Sequence, residues 1–162
     1  MYKLKKYLKD KKAANQSVEY VLYFAITVFL VLIFIDIILA FYTVYQTHVT
    51  ATNVARAVSV SGGYDSIENN GVVDASELYL MAQNQLESRT NDVESIIIEI
   101  TDDNEHIYTI DSDNLNGEYY VNLGDEFTVR VTSDVPFMRF GDHPFNVKVS
   151  ATSSGVSEVY RK

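Results

Sequence analysis

Glu19 and Asp36 are the residues of this sequence best placed to do chemistry, and their setting is the reason. From Tyr20 to Tyr45 run 26 consecutive residues in which Asp36 is the only charge, with Glu19 at the threshold. An acid near the centre of such a segment costs roughly 2.5–3.5 kcal/mol to place in hydrocarbon. More than fifteen Leu, Ile, Val and Phe in the same run, each favourable by roughly 0.3–0.6 kcal/mol, outweigh it. Two readings stand for Asp36: it meets a polar group of a neighbouring helix, or it is protonated and tolerated. Glu19, taken alone, reads as an interfacial carboxylate beside six lysines.

Other candidate chemistry is thinner. His48, His106 and His143 lie on three different elements with no neighbouring ligand at metal spacing. The stretch DSDNLNGE (111 to 118) hints at a calcium loop, but its glycine falls one place late and its twelfth position is Asn122 instead of Glu, so an Asx-rich turn is the better reading. No phosphate-binding loop, dinucleotide fingerprint, nucleophile elbow or paired catalytic acids occur. The expectation is a protein with no catalytic, metal or cofactor residues. Tyr20, Tyr23, Tyr42 and Tyr45 suit the two interfaces of a membrane, and Tyr108, Tyr119 and Tyr120 suit strand faces.

These residues need elements to hold them. The first 14 residues carry six lysines against Asp10, a net of +5, while the remaining 148 hold 7 basic and 21 acidic side chains, a net of −14. A basic leader before an apolar run is retained in the cytoplasm, so the acidic remainder is expected outside. With no cysteine the exported part has no disulfides to rely on and must fold on its own core. Its acidity argues against direct nucleic-acid binding, which needs clustered Lys and Arg. As a helix the run from Tyr20 to Tyr45 measures about 39 Å against about 30 Å of hydrocarbon. It is too long for the apolar region of a secretory signal, and no cleavage pattern follows it.

Val44, Ala51, Val54, Ala55 and Val58 continue an apolar stripe beyond the run, and Gly62 and Gly63 end it, so one helix is predicted from about Gln16 to Val60. Asp74, Ala75, Ser76 and Glu77 form a capping box, with Val73 and Leu78 as its hydrophobic staple, for a second helix reaching about Ser88. Four strand runs follow, at 94–101, 106–110, 118–132 and 145–160, with a kink at Gly124 and a bend at Ser153 to Gly155. The fold class expected is α+β: a long N-terminal helix, transmembrane in its first half, a short amphipathic helix, and a roughly four-stranded antiparallel sheet.

The segment KKAA followed by NQSVEYVLYFAI joins a basic leader, a small residue, four residues and a glutamate at the start of a long apolar helix. This resembles the class III signal of type IV pilin-like proteins, and most nearly the TadE-like minor pilins and pseudopilins of Tad-type systems. Asp36 stands where that family carries a second acid, TATNVARAVSV (50 to 60) where it carries an alanine- and arginine-rich block, and FNVKVSATSSGVSE resembles its final strand. Ala14 replaces the family's usual Gly, and Asp36 its more frequent Glu. The resemblance implies a prepilin peptidase cutting between Ala14 and Asn15, and assembly of the apolar helix with other pilin-like subunits and their machinery. Glu19 would then neutralise the new ammonium of Asn15 on an adjacent subunit. Opposite charges at about 4 Å gain about 4 kcal/mol at an effective dielectric near 20. The implied organisation is a cytoplasmic leader (1–14), a transmembrane pilin-type helix (15–62) and an extracytoplasmic head (63–162). The protein would sit single-pass in the cell membrane and lie outside the cell once built into a pilus. The alternative is an unprocessed, membrane-anchored binding protein whose first 60 residues are only an anchor.

Overall fold

The computed structural model describes residues 2–65, 72–87, 93, 95–140 and 143–159, with side chains outside 2–15, 135–140 and 143–145. The chain divides into two compact units, Met1–Leu39 and Ala40–Lys162. The first consists of helix α1, which runs unbroken over Tyr2–Ser61 and so continues into the second unit. That is earlier than the predicted start at Gln16. The helix ends as its glycines require: the Gly62 amide donates to the Val58 carbonyl at 2.9 Å, and Gly62 and Gly63 take φ of 72° and 126°, which side-chain-bearing residues rarely adopt. Gly63 is doubly constrained, because a Cβ there would lie 2.0 Å from the Tyr119 carbonyl oxygen.

In the second unit two sheets form. Strands β1 (Gly63–Asp65), β2 (Val73–Asp74) and β5 (Tyr119–Tyr120) make a small sheet in the order β2-β1-β5. The main sheet is antiparallel, in the order β4-β3-β6-β7, from β3 (Ser95–Asp102), β4 (Ile107–Ile110), β6 (Glu126–Phe140) and β7 (His143–Val156). Helix α2 (Ala75–Glu87) begins where predicted, with Asp74 Oδ1 accepting the Ser76 amide at 2.8 Å, and buries Ala75, Leu78, Ala82 and Leu86. The protein is therefore α+β, with the two helices and the four-stranded antiparallel sheet expected.

Alternation on the strands builds the core. Ile96, Ile98 and Ile100 of β3 and Phe127, Val129 and Val131 of β6 are buried, and they share one cluster with Ala51, Val54, Ala55 and Val58 of α1 and Leu78 of α2. On the opposite face Glu99 meets Arg130 at 3.8 Å. Pro136 sits where the β6–β7 register slips, between Pro136 and Met138, and beyond Asp134, the last β6 residue paired to β3, so its missing N–H breaks no ladder bond on that side.

Two strand expectations need correction. The run 118–132 is not one strand with a kink: the Asp125 amide bonds the Asn122 carbonyl at 3.1 Å, closing a turn that sends Tyr119 and Tyr120 to β1 and starts β6 at Glu126. Leu123 is 51% exposed on that turn. Nor does the chain bend at Ser153 to Gly155, since β7 pairs with β6 through Val156. A Cβ at Gly155 would fall 2.5 Å from Phe127 Cζ, so the glycine makes room for the ring.

Candidate functional site

Between Gln16 and Ser61 the helix is long and apolar enough to cross a membrane. Its early part exposes large apolar side chains, Phe24 at 71% and Ile38 at 63% among them, which water would disfavour at about 25 cal/mol per Å². Thr27 would bring an unpaired hydroxyl into that surface, but its Oγ1 donates to the Tyr23 carbonyl at 2.7 Å, the i−4 bond that lets a threonine sit in lipid.

Glu19 is exposed and Asp36 half-buried on this helix. Seventeen residues separate them, about 25 Å along the axis and about 100° around it, so they form two sites and not one. Ser17, Val18, Val21, Leu22, Ala25, Ile26 and Phe29 form one apolar face of the helix. Asp36 lies seven residues beyond Phe29 and prolongs its row along that face, whereas Glu19 falls at the edge of the face in the row of Leu22 and Ile26. Ala14 and Asn15 lie within α1, and their side chains are outside the described residues.

In the head, the stripe on α1 differs from the expected one at its start. Val44 is 47% exposed, while Thr43, Thr47 and Thr50, at spacings of four and three, are buried. Their face is the one that runs on to Val54 and Val58, and a hydroxyl can enter it when it bonds its own helix, as Thr47 Oγ1 does to the Thr43 carbonyl at 2.9 Å. Thr50 Oγ1 has no partner among the described residues. Further along, Ser59 donates to the Val156 carbonyl and its own carbonyl accepts the Glu158 amide at 3.1 Å, locking α1 to the chain's end. Sequence reasoning missed these residues, whose only signal was the helical spacing of the threonines.

Several aromatic rings of the head pack on one another. Tyr119 packs on Tyr108 with centroids 4.6 Å apart and on Phe127 at 6.4 Å. Burial, with the Tyr108 phenol nearby, pushes Tyr64 up to about 12, and burial beside the Asp102 carboxylate raises Tyr119 further. Both phenols stay neutral near pH 7. The 111–118 loop forms the Asx turn, with Asp111 Oδ1 accepting the Asp113 and Asn114 amides at 2.9 and 2.8 Å. His106 Nδ1 lies 3.2 Å from Asp102 Oδ2. Burial pushes that carboxyl up, but bonds from the His106 amide and ring and the Asn104 amide outweigh it and hold it below the usual range. Among the described residues no three acidic or histidine side chains converge as metal ligands would. His143 has its side chain outside them.

Fold and helix together define a class: an α+β head continuous with one helix able to cross a membrane. Compared with known protein families, with curated proteins and with solved structures, the chain finds no match.

Proposed function

We propose that this chain is a pilin-like subunit of the TadE-like minor pilin or pseudopilin kind, serving a bacterial pilus, secretion or conjugation apparatus. A prepilin peptidase cuts it between Ala14 and Asn15, and its apolar helix holds it in the bilayer until it packs among other pilin-like subunits, the head facing outward. What carries this reading is the pairing of two carboxylates with an outward-facing apolar helix: a plain anchor has no use for Glu19 at the edge of its apolar face or Asp36 along it. Glu19 meets the freed ammonium of a neighbour's Asn15, and Asp36 a polar group on the next helix.

Mass spectrometry of the protein from cells that contain a prepilin peptidase is expected to show loss of residues 1–14. An intact amino terminus there would sink the processing step and leave the anchored binding protein. Glu19→Gln and Asp36→Leu are each expected to abolish incorporation into filaments while leaving the amount in the membrane unchanged.

A further inference from the structure

The two helices of the head carry their charges in separate stripes. From Ala40 to Ser61 helix α1 has no acidic residue, and Arg56 is its only lysine or arginine. Its exposed side there runs through His48, Thr52, Arg56 and Val60 at spacings of four. Helix α2 has no lysine or arginine, and its exposed side runs through Glu77, Leu80, Asn84 and Glu87 at spacings of three and four. Both helices bury their other sides in the cluster they share with the sheet, so the two stripes look away from the sheet together. Arg56 makes no hydrogen bond or ion pair among the described residues. Glu87 makes one among them, accepting the Gln83 side-chain amide at 2.7 Å on Oε1.

Heights along the two helices follow from two contacts. Val73 and Asp74, just before α2 or at its cap, pair with Tyr64 and Asp65, just after α1, and further on Asn53 Nδ2 donates to Gln85 Oε1 at 3.1 Å. Helix α2 therefore runs back along α1, with Asn53 and Gln85 level. Taking the direction of Ser61 as up, Arg56 stands about 4.5 Å above that level and Glu87 about 3 Å below it, at about 1.5 Å per residue. Helical side chains lean toward the N-terminus of their own helix, so Arg56 reaches down and Glu87 reaches up, toward one height. Val60 and Leu80, both more than half exposed, stand about 10.5 and 7.5 Å above the level by the same rise, and they too lean together. Within one chain Glu87 lies about 160° around α2 from Gln85, which turns it away from α1.

We propose that two copies of the head pack helix layer against helix layer, about a twofold axis directed along residues 40–61 of α1. Such an axis sets α1 of each copy against α2 of the other and leaves every height unchanged. Arg56 then meets Glu87 of the second copy, and Val60 its Leu80, and each contact is made twice. A twofold axis across α1 would instead set α1 on α1 and α2 on α2, bringing the glutamates of the two α2 stripes together. Charge selects the first arrangement, and it is self-complementary, as a twofold interface must be. This pairing does not depend on cleavage or on packing of the apolar helix.

Analytical ultracentrifugation of the full-length protein in detergent tests it and is expected to show a dimer. Arg56→Glu and Glu87→Arg are each expected to weaken that dimer about tenfold or more, because each sets like charges opposite one another twice. Mixing the two variants is expected to restore it, since both 56–87 contacts of the mixed pair again join opposite charges. Chains carrying Val60→Cys, mixed with chains carrying Leu80→Cys, are expected to form a disulfide dimer on mild oxidation, the sequence having no other cysteine. Circular dichroism confirms that each variant is folded. A monomer, a dimer indifferent to the charges at 56 and 87, a mixture that fails to associate, or absence of the mixed disulfide would each overturn the proposal; indifference would mean that the apolar helix alone joins the copies.

Discussion

Between residues 16 and 39 helix α1 presents Phe24, Leu30, Phe34 and Ile38 outward, whereas between 40 and 61 it buries Thr47, Thr50, Ala51, Val54 and Val58. The backbone is the same and the side chains differ in size as well as in exposure. Large apolar groups facing outward suit a surrounding that is itself apolar. Small ones facing a sheet let helix and strands come close enough to exclude water. The difference teaches that hydrophobicity alone does not distinguish a core helix from a membrane helix; the size of the residues and what faces them do.

A buried charge breaks this comparison most forcefully. Val54→Asp puts an unpaired carboxylate at a fully buried position and is expected to cost the head at least about 3 kcal/mol, a large share of the stability of a small domain. Ile38→Asp adds the same group where the side chain is 63% exposed, and is expected to change the head's stability by less than about 0.5 kcal/mol. Thermal melting of the two full-length variants in detergent, followed by tyrosine circular dichroism, reads both. Equal losses would mean that the two parts of the helix share one environment.

Alkaline pH acts next, on the head. Tyr64 rises from an ordinary value of 10.0 to about 12 and Tyr119 rises as well, each chiefly through burial. The native state thus holds these protons more tightly than the unfolded chain. Their contribution is complete below pH 10 and is lost as pH climbs through the native values. Denaturant midpoints are expected to fall above pH 10, and Tyr64→Phe to flatten that fall. A midpoint independent of pH up to 12 would refute the burial argument.

How much of this was legible depended on period and range. Ala51, Val54, Ala55 and Val58 announce their face by spacing, and Gly62 and Gly63 announce the stop. The break at Asn122 to Asp125 hid itself: odd positions carry the apolar residues before it at Tyr119 and Val121 and after it at Phe127 and Val129, so the turn preserves the period of two that would have betrayed it. Ser59 was invisible because its partner Val156 lies 97 residues away. Glu19 and Asp36 stood out by composition, but that they occupy different rows of the helix follows only from one unbroken α1. Thr43, Thr47 and Thr50 were concealed by their chemistry, since a hydroxyl reads as solvent-facing until its bond to the helix is seen.

That last point gives the finest test of the comparison. Thr50 Oγ1 is buried without a partner among the described residues, while Thr27 Oγ1 is satisfied by Tyr23. Valine has nearly the shape of threonine and lacks the hydroxyl, so Thr50→Val removes a desolvated group that gains nothing in return. It is expected to stabilise the head by about 1 kcal/mol. Thr27→Val exchanges a bonded hydroxyl for a methyl in the exposed apolar stretch, and the head's denaturant midpoint should not move. A destabilised Thr50→Val would show that an ordered water completes the Thr50 hydroxyl. In that case the buried threonines form a hydrated polar seam between α1 and the sheet, and the contrast between the two parts of the helix becomes one of polarity as well as size.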